Sequence, residues 1–217
     1  MVKLKKTMKK IGKIFLCFLL VVALVNILAP LFCKKPDEKY AKNLQQTEFT
    51  SETAGAERIR CIDDNEEALL WRLRMIGTAK ESIVLSTFDL RADENGTKLL
   101  AALNHAADKG VKIQLLIDGI YQQLFLSGSS DFQALAAHEN VEVGVYNPVT
   151  PLNLFKLNYR MHDKYLIIDE KIYLLGGRNS NDIFLGDQTE DINVDRDILV
   201  YDTSEGKGES LLQLEDY

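Results

Sequence analysis

The chain has 217 residues, 46% of them hydrophobic and 27% charged, which are values for one globular domain with additions. Its net charge of −6 is unevenly held: residues 1–35 carry eight lysines and no acid, and the remainder carries 18 basic against 32 acidic residues, a net of −14. A body this acidic repels polyanions, which disfavours an extended nucleic-acid footprint but leaves room for a local basic pocket.

The amino end sets Lys3, Lys5, Lys6, Lys9, Lys10 and Lys13 ahead of an apolar run, Ile14 to Phe32, broken only by Asn26 and Pro30. At about 1.5 Å per residue its roughly 19 residues match the ~30 Å of a bilayer core. A signal peptide has a shorter apolar stretch and a small-residue cleavage site. The run therefore reads as an uncleaved single-pass anchor in the cell membrane, with cleavage after Ala23 or Ala29 left open. The lysine-rich end stays in the cytoplasm and the rest lies on the extracytoplasmic face. Cys17, Cys33 and Cys61 have no metal spacing, which argues against a disulfide framework; a Cys33–Cys61 bridge stays open for an extracytoplasmic domain. Lys34 to Glu57 has no periodicity and reads as a polar linker.

From Arg58 the pattern is that of a packed domain. Asp63-Asp64-Asn65 offers N-caps to a helix carrying Leu69, Leu70, Leu73 and Ile76 at helical spacing, with Trp71 as packing. Ser82 to Phe88 is a strand, Asp89 to Gly96 a loop, and Thr97 to Lys109 an alanine-rich helix ended by Gly110. Val111 to Asp118 is the next strand, so strand, helix and strand form a βαβ unit and part of the sheet is parallel. Asp131 to Ala137 is a short helix and Val141 to Tyr146 a strand. Residues 147–158 form a loop with Leu152, Leu154, Phe155 and Leu157, suited to packing over a sheet edge or to lining a lipid entry. His105 and His138 read as structural or exposed. Asp195 to Tyr201 is a last strand, in which Asp195 or Asp197 orients the site or pairs with Arg196.

The chemistry concentrates between Arg160 and Asn179. His162 and Lys164 are two apart, which in a strand puts both on one face. Tyr165 to Ile168 and Ile172 to Leu175 are apolar runs about a polar break, hence a hairpin. With the loop at Glu170-Lys171, Asp169 pairs with Ile172, Lys164 with Gly177, and His162 with Asn179. An imidazole, an ammonium and a carboxamide then meet at one end, beside two glycines that let a ligand approach the backbone. That is phosphate chemistry: neutral imidazole attacks phosphorus, and the cation and amide hold its oxygens.

His-x-Lys, four residues, Asp, six residues, Gly-Gly-x-Asn, filled by His162, Lys164, Asp169, Gly176, Gly177 and Asn179, resembles the signature of the phospholipase D superfamily. The upstream βαβ unit, with an aromatic near the end of its first strand and Asp118 at the end of its second, resembles the family too, over roughly Arg58 to Thr203. The membrane segment and acidic domain resemble its cardiolipin-synthase-like members. The resemblance implies a mixed α/β fold, one repeat of the family's α-β-α sandwich, preceded by a single transmembrane helix. The expected organisation is a basic cytoplasmic tail over 1–13, an anchor over 14–33, a linker over 34–57 and the phospholipase D-like domain over 58–217.

By the same resemblance His162, Lys164 and Asp169 are the catalytic set, Asp169 in an orienting or structural role, and Lys164, Asn179 and Gly177 bind the phosphate. The reaction runs through a phosphohistidine with no metal or other cofactor. The expected partners are a phospholipid substrate, the membrane and a second motif, rather than nucleic acid. The family's reaction uses two histidines and this sequence carries one His-x-Lys. Two readings stay open, a homodimer that joins two His162 copies or the amino-terminal half of a two-motif enzyme, and the helix begun over 208–217 favours the second. Head group, acceptor, and hydrolysis versus transfer also stay open.

Overall fold

The computed structural model describes residues 2–32, 55–187, 190–204 and 209–216. The expected linker falls almost wholly outside the described residues, as does Cys33, while Cys17 and Cys61 are free and exposed. The chain divides into two compact units, Met1–Glu52 with Val149–Tyr159, and Thr53–Pro148 with Arg160–Tyr217.

In the first unit, helix α1 (Val2–Leu28) runs into a 3-10 turn, Ala29–Phe32. The lysines expected as a separate tail are part of this helix and lengthen it. Together they give one helix long and apolar enough to cross a membrane, Leu4–Phe32. Residues 149–159 fold against α1 around a 3-10 turn, Leu154–Lys156.

The second unit is a seven-stranded sheet: β1 (Glu57–Ile62), β2 (Ser82–Thr87), β3 (Lys112–Asp118), β4 (Val141–Tyr146), β5 (Lys164–Ile168), β6 (Ile172–Gly176) and β7 (Asp197–Asp202). The order is β1-β7-β6-β5-β2-β3-β4. β2, β3 and β4 are parallel, and every other pairing is antiparallel. The sheet is mixed because β2–β3 carries a crossover helix, whereas β5–β6 is a hairpin.

Helices α2 (Asn65–Thr78), α3 (Glu94–Asp108) and α4 (Ser130–Ala136) cover one face, and α5 (Glu209–Glu215) packs on the other. Side-chain parity decides the layers. Leu85, Leu115, Leu166 and Leu174 join Ile76, Leu100, Leu103 and Leu135 in the main core, while Ile167, Tyr173 and Val200 meet Leu211 of α5. The helices start where the acids cap them: Asp64 accepts from the Glu67 amide at 2.8 Å, and Asp93 from the Gly96 amide at 3.0 Å. The Asp93 cap begins α3 three residues earlier than the apolar spacing implies. Gly110, at φ +86°, ends that segment. β1 was not anticipated. It is an edge strand with Ile62 its one buried residue and Ile59 70% exposed, so it carries no buried periodic face.

Candidate active site

Lys164 opens β5 and Gly176 closes β6, so the two halves of the motif lie at one end of a hairpin. The register differs by one from the expected one: Ile168, not Asp169, stands opposite Ile172. Asp169 and Glu170 hold φ of +52° and +49°, and the Lys171 amide donates to the Ile168 carbonyl at 3.0 Å. That is a tight turn of left-handed residues, a conformation Asp tolerates better than most. Nothing in Glu-Lys signalled it.

Asp169 is therefore at the other end of β5 from His162, seven residues further along, with the ~17 Å length of the five-residue strand between them. Its carboxylate accepts from the amides of Lys80, Glu81 and Ser82 at 2.8 to 3.1 Å and fixes the entry to β2. Of the expected catalytic trio, His162 and Lys164 are brought together and Asp169 is not.

Lys164 is buried to 7% exposure, and its ammonium donates to the His162 carbonyl at 2.7 Å. It also lies 5.2 Å from the Phe88 ring centre. Burial pulls the Lys164 pKa below its ordinary value, against the carboxylates of Asp163, Asp195 and Asp89, which hold it up. The His162 ring is exposed and stands edge-on to Phe88 at 4.5 Å. Its pKa is lowered by desolvation first and by the Lys164 charge second, which favours the neutral imidazole.

Thr87 stands opposite Lys164 in the β2–β5 ladder and shares a 3.0 Å hydrogen bond with the Ser180 hydroxyl. The Ser180 amide donates to Asp89 O at 3.0 Å. These bonds carry Asn179 to the Lys164 end. Asn179 is buried, and its Oδ1 is enclosed without a partner among the described residues, an uncommitted group in a polar site.

The two glycines serve a purpose other than ligand approach. A Cβ on Gly176 would lie 1.9 Å from Asp197 Oδ1, and one on Gly177 would lie 2.0 Å from Asp195 Oδ2. They admit two aspartates. Asp195 thereby sits beside the motif, whereas Asp197 is fully buried and pairs with Arg72 at 2.9 Å and Arg178 at 3.3 Å. The Arg196 guanidinium takes neither of them and pairs with Asp63 at 2.6 Å, while its backbone amide donates to Asp195 Oδ1 at 2.7 Å.

Other residues with a place at the site were given no role in it from the sequence, where Asp118 was noted only as the end of its strand. Asp118, 1% exposed, receives a two-pronged bond from Arg160 at 2.6 and 2.8 Å. Arg160 in turn lies over Phe88 and Tyr121, so the residue two before His162 is fixed from both sides. The strand-terminal Asp118 was the available signal. The π-helical turn Gln122–Leu126 then brings Phe125 onto Tyr121 at 5.6 Å and under Arg91. Among the described residues no three His, Cys, Asp or Glu are grouped to hold a metal ion.

A motif histidine and a buried lysine at one end of a hairpin, within a mixed sheet layered by helices, define a phospholipase D-like domain. The chain belongs to that family: residues 73–204 match the family described as "Cardiolipin synthase, PLD-like domain". It is 34% identical over 128 residues to cardiolipin synthase B of Escherichia coli (strain K12), covering 56% of this chain and 29% of that one. The chain spans about a third of the length of the curated relatives it matches. Among solved structures, phosphatidylserine synthase of Haemophilus influenzae Rd KW20 superposes with a TM-score of 0.60 at 18% identity, over 83% of this chain and 40% of that one. NucT from Helicobacter pylori gives 0.55 at 19% identity, over 74% of this chain and 92% of that one. At these identities the structural likeness is one of fold.

Proposed function

We propose that this chain is one half of a membrane-anchored phosphodiester-transfer site that acts on phospholipid, in the manner of a cardiolipin synthase. The observation that carries the reading is the pairing of an exposed imidazole of lowered pKa with a buried lysine at the same strand end. His162 attacks phosphorus as the neutral base. The new N–P bond forms as the P–O bond to the leaving alcohol breaks, and a second imidazole, from a partner subunit or a second motif, gives that alkoxide its proton. The second imidazole then takes a proton from water or an acceptor alcohol, whose oxygen displaces His162. Lys164 and Asn179 hold the phosphoryl oxygens, and Asp195 orients the site. Asp169 supports the hairpin.

Three features favour lipid over nucleic acid as substrate: the apolar α1, the net charge of −14 after residue 35 and the cardiolipin synthase relatives. The lysine-rich end of α1 favours a cytoplasmic amino terminus and an extracytoplasmic domain.

The test is to incubate the detergent-solubilised chain with phosphatidylglycerol and to look for cardiolipin or phosphatidic acid. Wild type yields one of them and His162→Ala yields neither. Cleavage of single-stranded DNA without any lipid product would replace the lipid reading with a nuclease. Silence of wild type on both substrates would reduce the chain to a phosphate-binding half.

A further inference from the structure

In the first unit one stripe of α1 is occupied. Phe18, Val22 and Asn26 recur every four residues, so they share a helix face. Val22, 8% exposed, is the one buried apolar residue of α1 among the described residues. The Phe155 ring meets Phe18 edge-on at 6.1 Å. The Asn26 carboxamide donates to Val22 O and to Leu154 O, both at 2.9 Å, and the Asn158 side-chain Nδ2 donates back to the Asn26 backbone carbonyl. A carboxamide inside an apolar span is costly without a partner. Here its Nδ2 is partnered by a backbone carbonyl from residues 149–159, while its Oδ1 is enclosed without a partner among the described residues.

Those residues have two further properties of chain at membrane depth. Non-helical backbone there must satisfy its own polar groups. Successive turns do this for three of its amides: Asn153 N donates to Thr150 O at 3.0 Å, Lys156 N to Asn153 O at 2.9 Å, and Tyr159 N to Lys156 O at 3.0 Å. Three apolar side chains of the segment are also exposed, Leu152 at 89% and Val149 and Phe155 at 39% each, while Leu154 and Leu157 are half-buried. Lys156, its one charged side chain, has a stem long enough to reach head groups.

We propose that residues 149–159 are a second membrane-embedded element, a re-entrant turn docked on α1 through Asn26, with phospholipid acyl chains packed on Leu152 and Phe155. Bilayer hydrocarbon is the occupant because the segment is continuous with the face of a membrane-length helix. Asn26 lies six residues inside the end of the apolar run, about 9 Å deep at the helical rise.

The inference rests on α1 spanning a bilayer and is independent of turnover. Trp71 is the one native tryptophan, so wild type supplies the baseline. Full-length Leu152→Trp is reconstituted into phosphatidylglycerol–phosphatidylcholine vesicles with and without lipid brominated on its acyl chains. Substitution at so exposed a side chain spares the fold. The added emission is expected to be blue-shifted, to be lost with brominated lipid and to resist aqueous iodide, while Trp71 emission is insensitive to bromine. Water-like emission quenched by iodide would overturn the proposal, whatever the lipid assay shows. Introducing Asn26→Leu alongside Leu152→Trp is expected to abolish the bromine quenching; undiminished quenching would overturn the docking role of Asn26.

Discussion

Arg178, the variable position of Gly-Gly-x-Asn, stands 3.3 Å from the carboxylate of Asp197, and neither side chain has any exposure. Arg178 also donates to Asn65 Oδ1 at 2.9 Å and to Ile62 O at 3.0 Å. Arg72 donates to the same carboxylate from α2. One anion thus balances two buried cations and ties the motif to β7, to α2 and to the end of β1. Asp197→Asn leaves both guanidiniums short of charge, at an expected cost of about 3–5 kcal/mol. Arg178→Lys keeps the charge but loses the fork geometry, and it is expected to destabilise as well. Denaturant unfolding in detergent, followed by Trp71 emission, measures both; a shift below ~1 kcal/mol in either would refute the tie.

Asp169 is the motif residue that this structure places apart from the others. Its carboxylate collects three backbone amides at the start of β2, and its backbone is left-handed. Asp169→Ala strands those amides and strains the turn, for an expected loss of about 2–3 kcal/mol. Asp169→Asn keeps the turn and loses less. If the role is structural, the His162 titration followed by NMR stays where it is in the folded fraction of both variants. A displaced titration would put Asp169 back in the chemistry.

That His162, Lys164 and Asn179 belong to one end of a hairpin was legible from the apolar runs of β5 and β6, although His162 and Asn179 themselves lie beyond the strand ends, where parity does not reach. The same logic located β2 through β6 from their β-branched runs. The turn was not legible, because Glu170 gives no sign of the positive φ it adopts, and the hairpin register moved by one with it. The charges behind the site were not legible for another reason. Arg72 and Asp197 are 125 residues apart, and no local pattern shows that both face one point in the core. The glycines misled in an instructive way. Their lack of a side chain was legible, but whether a ligand or a carboxylate fills the space is a tertiary fact.

Gly176 and Gly177 differ in what a methyl group would strike. At Gly176 the neighbours include the Arg196 carbonyl and the Asp197 Cα, both at 2.8 Å, so backbone must move. At Gly177 the three nearest atoms all belong to the Asp195 carboxylate, which lies at the surface and can swing away. Gly176→Ala is expected to lose about 1–3 kcal/mol of stability, and Gly177→Ala clearly less. The second change instead displaces Asp195 from the neighbourhood of Lys164. Since Asp195 holds the Lys164 pKa up, its displacement lowers that pKa further. Denaturant midpoints of the two variants check the order, and amine titration of Lys164 by NMR checks the direction.

The pH dependence follows from His162. Burial and Lys164 depress its pKa below the ordinary 6.5, so the folded chain binds this proton more weakly than the unfolded one. Above 6.5 the imidazole is neutral in both states and contributes nothing to pH-dependent stability. As pH falls below that value the unfolded chain gains the proton first, and stability declines until the depressed folded pKa is passed. Nucleophilic competence should persist over the same interval, with an acid limb in product formation centred below 6.5. Lys164→Met removes the second cause but not the first, so the His162 midpoint should rise yet stay under its ordinary value. NMR titration of the ring protons in wild type and Lys164→Met measures this directly; a wild-type midpoint at or above 6.5 would contradict the assignment of His162 as the neutral nucleophile.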